Sequence, residues 1–388
     1  MKTSVITYLV SGIAAFLFSS TGPVAIIMSV ANSAGLSNQH VASWLFGGFG
    51  IAGAYSLYFT IKYRQPIAFA WTIPGTVLLL AALQHLEFEE AVGAYIVTAV
   101  CIFLIGVTGF AQKIVDWIPK PIVMAMVAGI FLQFGLNLIA AFEQAALMSW
   151  VMVISFVVVS AWPALQRFLP PILVALVLGV VVLIFTQGLR ATAPLDGILV
   201  EPLLFTPIFT WQALLELVVP LVITVVVVQN GQGFAVLTHA GHNVPVKSMT
   251  MACGTGSILL AFIGAVSMCV TGPTNAILSS EGDAGRQYIA GLTYGVLAVV
   301  FGICGALMAW VAFKLPEAYI AVLGGLAVYK VLESAFKVAF TGHHTMGALA
   351  TLVITVSNIS LFNIGAPFWG LVCGGIVSYL LDKSDTQN

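Results

Sequence analysis

Stretches of about twenty mostly apolar residues, the length that spans a bilayer core, recur along the whole chain with only short polar or Pro/Gly-marked breaks between them. Hydrophobic residues fill 60% of the 388 positions and charged residues only 7%, a balance no soluble domain of this size can hold. The pattern predicts an all-α polytopic membrane protein whose solvent is the lipid bilayer. Fourteen segments fit, near residues 5–31, 41–60, 66–85, 90–111, 119–141, 147–163 and 170–187, then 212–234, 246–263, 264–280, 286–312, 316–334, 346–361 and 366–381. The first run, Val5 to Val30, is too long for a cleavable signal and lacks a small-residue cleavage pattern, so it is expected to be the first span.

Lys and Arg accumulate on the cytoplasmic side of membrane proteins. With both termini cytoplasmic, alternation puts Lys2, Lys62, Arg64, Lys113, Lys120, Arg167, Lys247, Arg286, Lys330, Lys337 and Lys383 inside and Arg190 and Lys314 outside, 11 against 2. The acidic cluster Glu87, Glu89, Glu90 falls outside. A net charge of −1 points to neither a nucleic-acid surface nor a polybasic lipid-binding tail.

The chain repeats itself. Thr72-Ile73-Pro74 matches Thr271-Gly272-Pro273 at an offset of 199, Pro119 and Gly129 match Pro316 and Gly325 at 197 and 196, and Pro171 and Gly179 match Pro367 and Gly375 at 196. Five matches in one order at nearly one offset predict two related halves, residues 1–187 and 212–388, joined by a proline-bearing periplasmic linker at 188–211. Seven spans per half is an odd number, so the second half enters the membrane from the opposite side, a 7+7 inverted repeat.

Segments 3 and 10 are interrupted. Trp71 is followed by Thr-Ile-Pro-Gly-Thr and Val270 by Thr-Gly-Pro-Thr-Asn, which are helix-start signals placed where the chain is near mid-membrane. Each is expected to be a half-helix preceded by extended backbone. Such backbone survives at that depth only when buried in protein or lining a cavity. Half-helices facing one another would offer free N–H groups and positive dipole ends to an anion, with Trp71, Thr72 and Ile73 on one side and Thr271, Gly272, Thr274 and Asn275 on the other.

The first segment of each half adds uncharged polar groups: Ser19, Ser20, Thr21 and Gly22 in one, Gln229, Asn230, Gly231 and Gln232 in the other. Ser20, Thr21, Gly22, Gln229 and Asn230 are read as cavity residues, whereas Ser19 and Gln232 also suit hydrogen bonds between helices. Most other tryptophans (Trp117, Trp150, Trp211, Trp310, Trp369) lie near span ends, as interfacial belts do. Trp71 lies deep, where an aromatic face could stack on a flat ligand or pack in the core.

The run Trp71-Thr72-Ile73-Pro74-Gly75-Thr76, with Gln229-Asn230 leading into Gly233-Phe234-Ala235-Val236-Leu237 and Ala240-Gly241, resembles the benzoate:proton symporter (BenE) family of bacterial inner membranes over essentially the whole chain. The resemblance implies the fold of uracil permeases and sulfate-type anion transporters, with core and gate domains drawn from both halves and short strands ahead of the two half-helices. It also implies proton-coupled uptake of benzoate or a similar aromatic carboxylate. Family members commonly carry Ser at the position of Thr72, and Gly272 to Thr274 departs from the usual pattern there. Where uracil permeases carry a proton-coupling carboxylate, this chain has Gln229-Asn230. The expectation is that the substrate's own carboxylate supplies the titrating charge, with Glu281 the fallback proton carrier.

Other chemistries find little footing. The five cysteines lie in apolar segments without CxxC spacing and read as packing residues. Gly48-Phe49-Gly50-Ile51-Ala52-Gly53 matches a dinucleotide fingerprint as a string but lies inside a span, where close helix packing explains it. The pairs His239/His242 and His343/His344 read as solvated loop residues, with no metal site expected. No catalytic set appears at membrane depth, so the sequence reads as a transporter and not an enzyme, needs no cofactor and leaves a homodimer open. The alternatives are a nucleobase permease, or an anion channel that uses the same dipole-lined gap without alternating access.

Overall fold

The computed structural model describes residues 5–382 except 111–118, 163–169, 187–194, 196, 358, 360, 362 and 363. Lys2, Lys113, Trp117, Arg167, Arg190 and Lys383, and most of the early part of the expected linker, lie outside the described residues.

The protein is mostly helical. In chain order come α1 (Val5–Ser33), α2 (Asn38–Tyr63), strand β1 (Phe69–Trp71), α3 (Ile73–Ala82), α4 (Phe88–Thr108), α5 (Lys120–Ala161) and α6 (Pro171–Thr186), then α7 (Trp211–His239), α8 (Val246–Phe262) and strand β2 (Met268–Val270). They are followed by α9 (Gly272–Leu278), α10 (Ala284–Ile303), α11 (Gly305–Phe313), α12 (Glu317–Ala339), α13 (Thr345–Val356) and α14 (Ala366–Leu381). Among the described residues, α1, α2, α4, α5, α7, α10 and α12 are long and apolar enough to cross a membrane.

Local chemistry sets the helix ends. Ser37 caps α2 by accepting from the His40 N–H, and Arg64 at φ 53° closes it. Glu87 and Glu90 form a reciprocal capping box at the start of α4, and Gly109 at φ 74° ends it. The expected spans 119–141 and 147–163 are the two helices of α5, which meet at a kink where Ala145 has non-helical dihedrals of φ −148° and ψ 63°. The expected span 286–312 divides at Cys304 into α10 and α11. α7 widens into π-helical turns at Leu214–Val218 and Thr224–Asn230. Pro220 explains the first, because its nitrogen cannot donate to the Glu216 carbonyl and its ring crowds that carbonyl.

The chain forms two compact units, neither of them contiguous in sequence. One comprises Met1–Ala68, Phe134–Leu203 and Pro273–Tyr329. Phe16, Phe49 and Phe301 cluster in it, with Phe49 and Phe301 centroids 4.6 Å apart. A Cβ on Gly302 would strike the backbone of Gly50, and one on Gly53 would lie 3.0 Å from Ala298. The glycine string of α2 is therefore a close-packing face against α10, as expected from its place inside a span.

The other unit comprises Phe69–Gln133, Leu204–Gly272 and Lys330–Asn388. Here α4 and α8 pack along their lengths in opposite directions, Gly106 against Met251 and Gly254 against Phe103. Part of the linker lies against this pair through backbone bonds from Phe205 to Phe262 and from Ile208 to Glu89. His242, expected in solvent, is 9% exposed: Gly241 at φ 88° turns the chain, and the His242 N–H returns to the Leu237 carbonyl.

Candidate functional site

Strands β1 and β2 pair antiparallel, Phe69 with Val270, Ala70 with Cys269 and Trp71 with Met268, and the Thr72 N–H adds a further bond to the Ser267 carbonyl. A two-stranded ladder leaves alternate N–H groups pointing away from its partner, and buried ones need acceptors. On β2, Ser257 Oγ accepts from Met268 N–H at 2.8 Å and Asn230 Oδ1 accepts from Val270 N–H at 2.7 Å. Asn230 also receives the Cys253 thiol at 3.6 Å. Its Nδ2, on a residue 1% exposed, has no hydrogen-bond partner among the described residues.

At the end of β1 the chain turns directly into α3. Thr72, fully buried, is the N-cap: its hydroxyl accepts from Gly75 N–H at 3.2 Å while its carbonyl accepts from Thr76 N–H at 2.9 Å. Pro74 has no N–H and Gly75's is taken by the cap, so the Ile73 amide is the donor left at the positive end of this ten-residue helix. A Cβ on Gly75 would collide with the Thr72 methyl and lie 2.7 Å from Leu221, so the cap needs glycine there. Gly233 packs on the Val270 carbonyl, and Gln232 lies over Gly272. This unit thus holds Trp71, Thr72, Ile73, Gln229, Asn230, Thr271 and Gly272. Trp71 is 2% exposed, so its ring is enclosed by protein.

The first unit holds the remaining expected residues. Ser19 donates to the Ala15 carbonyl at 3.0 Å, which leaves Thr274 as donor in the 3.0 Å bond between the two hydroxyls. Thr21 and Ser20 turn back onto the Leu17 carbonyl, and a Cβ on Gly22 would lie 2.6 Å from that of Ala327. Asn275 bonds the backbone of Ala68 through both amide atoms. Ser19, read from the sequence as suited also to a helix-joining role, has one.

One pair escaped the sequence reading. Glu216, in the first π turn of α7, is buried and bonded through Oε2 to His85 Nε2 at 2.9 Å. A lone acid in an otherwise apolar span is itself a functional signal, and Glu216 lies one turn into the span, away from the middle of the membrane where the other polar groups stand. Glu281, the fallback proton carrier, is exposed.

A family model for the benzoate membrane transport protein, BenE, matches residues 2–380. The chain belongs to the BenE family. This BenE-family chain is 31% identical over 381 residues to the benzoate membrane transport protein of Acinetobacter baylyi, covering 96% of this chain and 95% of that one. It is 29% identical over 387 residues to the inner membrane protein YdcO of Escherichia coli, covering 98% and 97%. Among solved structures, it resembles the transmembrane domain of the cyanobacterial bicarbonate transporter BicA, with a TM-score of 0.63, 15% identity and coverage of 95% and 97%. It also resembles a murine Solute Carrier 26 family anion transporter in the inward-facing state, with a TM-score of 0.64, 13% identity and coverage of 98% and 69%. The BenE-family protein is thus a membrane transport protein and not an enzyme, with the fold of these anion transporters.

Proposed function

We propose that the chain takes up benzoate or a similar aromatic carboxylate together with protons, by alternating access, in the bacterial inner membrane with both termini cytoplasmic. Its architecture in this reading is a 7+7 inverted repeat, with α3 and α9 as the half-helices of segments 3 and 10. The observation that carries the reading is Asn230, whose Oδ1 is committed to the Val270 amide while its Nδ2 is buried and unpartnered. A buried donor without an acceptor costs about 1–3 kcal/mol, which a carboxylate oxygen would return.

The second carboxylate oxygen accepts from the Ile73 amide at the positive end of α3. Neither donor carries a full charge, so the anion is held by dipoles and is released more readily than from an Arg clamp. Trp71 supplies aromatic surface for the ring, and Gln229, Thr271 and Gly272 complete the lining in this unit. The names of the Acinetobacter relative and of the matching family support the choice of substrate.

The test is uptake of labelled benzoate into proteoliposomes, read as initial rate above protein-free vesicles, through which benzoic acid itself permeates. An inward proton gradient should raise the rate several-fold, and unlabelled benzoate but not uracil should compete. A rate that follows the membrane potential alone favours an anion channel, and competition by uracil favours a nucleobase permease.

A further inference from the structure

We propose that His85 and Glu216 form the proton-carrying pair of this transporter, a step that rests on the symport reading above. Glu216 lies inside an apolar helix with its side chain 4% exposed, whereas His85 is 30% exposed. A carboxylate in such a place is costly unless charge and hydrogen bonds compensate it. Here His85 Nε2 lies 2.9 Å from Oε2. The same carboxylate lies against Gly365, N-cap of the sixteen-residue helix α14, and therefore also meets the positive end of that helix. A Cβ on Gly365 would sit 2.5 Å from Oε1, so the glycine is what admits the carboxylate.

The other titratable groups on the elements packed against this turn are engaged elsewhere or stand apart. α4 brings Glu89, Glu90, Tyr95 and Cys101, of which Glu90 is bound to the Glu87 amide. α14 brings Cys373 and Tyr379, and Asp382 just beyond it accepts from the Met346 and Gly347 amides. α3 carries none, and His85 follows it, its N–H returning to the Ala82 carbonyl. The imidazole, the more exposed member of the pair, is the entry for the proton. One proton from outside binds His85 and makes a neutral imidazolium–carboxylate pair; its release inside leaves imidazole beside carboxylate, with no other bond made or broken.

The pair sits where coupling needs it. α3 begins at the Ile73 amide and ends just before His85, while α7 carries both Glu216 and Asn230. Ligand and proton therefore act on the same two helices, the ten residues of α3 spanning about 15 Å. Such shared elements let the binding of one bias that of the other.

Glu216→Gln and His85→Gln are compared with the unmodified protein in proteoliposomes. Both variants should keep exchange of labelled for unlabelled benzoate at equal pH within about threefold of the parent, while the several-fold stimulation by an inward proton gradient is lost. Purified parent protein should also take up a proton from weak buffer on binding benzoate, read with a pH indicator, and neither variant should. Gradient stimulation and proton uptake retained in both variants overturn the assignment. A parent protein that exchanges benzoate but ignores the gradient sinks the symport reading instead. Should Glu216→Gln assemble poorly, His85→Gln, which keeps the carboxylate at the start of α14, decides alone.

Discussion

Asn275 holds the backbone of Ala68 at both its polar atoms, with Oδ1 accepting from the N–H at 2.9 Å and Nδ2 donating to the carbonyl at 3.1 Å. Ala68 immediately precedes β1, and the chain opposite has already left the ladder at Thr271 to become α9. A side-chain amide thus substitutes for the peptide group that a continuing strand would have supplied. Both residues are buried, so water offers no replacement.

Replacing Asn275 with Ala should therefore lower the melting temperature in detergent, since each stranded backbone group costs on the order of 1–3 kcal/mol. Asn275→Asp, which sets an oxygen against the Ala68 carbonyl, should also destabilise. A melting curve that neither change shifts would mean that the extended segment is held by something else.

Asn230 separates support from recognition. Asn230→Ala removes the acceptor for Val270 N–H and should lower both stability and benzoate binding. Asn230→Asp keeps that acceptor but puts a second oxygen where the ligand's carboxylate needs a donor, so binding should fall at least about tenfold while more of the stability remains. Calorimetric titration beside a melting curve reads both quantities, and parental affinity in Asn230→Asp would remove Nδ2 from the site.

Thr72 acts through its hydroxyl. Thr72→Ala should cost about 0.5–2 kcal/mol through loss of the cap to Gly75, whereas Thr72→Ser should stay close to the parent. Chemical denaturation of the three proteins in detergent orders them, and equal stability of Ala and Ser variants would show that the hydroxyl contributes nothing.

Gly254 allows α8 to approach α4. A Cβ there would lie 2.5 Å from the Phe103 backbone, which cannot rotate away, so Gly254→Ala should destabilise by about 1–3 kcal/mol. Gly109→Ala makes an instructive comparison: nothing lies within 4 Å of its Cβ position, and its φ of 74° alone sets the cost. Thermal unfolding of the two variants separates crowding from backbone strain.

Much of the fold could be read before any coordinates. Hydropathy placed the apolar helices within a few residues, because excluding backbone polar groups from lipid forces long helical runs. Thr-Ile-Pro-Gly marked the start of α3 to the residue, since a cap, a proline and a glycine each restrict the backbone locally. What lay beyond reach was pairing between distant residues. Asn230 and Asn275 were recognisable as polar groups in apolar company, yet their commitment to Val270 and Ala68 depends on strands brought together from either side of the linker. Glu216 was visible as an acid, but its partner His85 and its neighbour Gly365 lie 131 and 149 positions away (216−85 and 365−216).

By itself the sequence determined the membrane as solvent, the helical content and the start of α3, because these follow from the transfer free energy of short windows and from the dihedral limits of single residues. The tertiary structure alone decided which buried donors are satisfied by their neighbours and which remain open, and which acid is enclosed beside a histidine. Hydrogen bonds and ion pairs act only over a few ångströms, so their partners are set by how the chain folds back on itself.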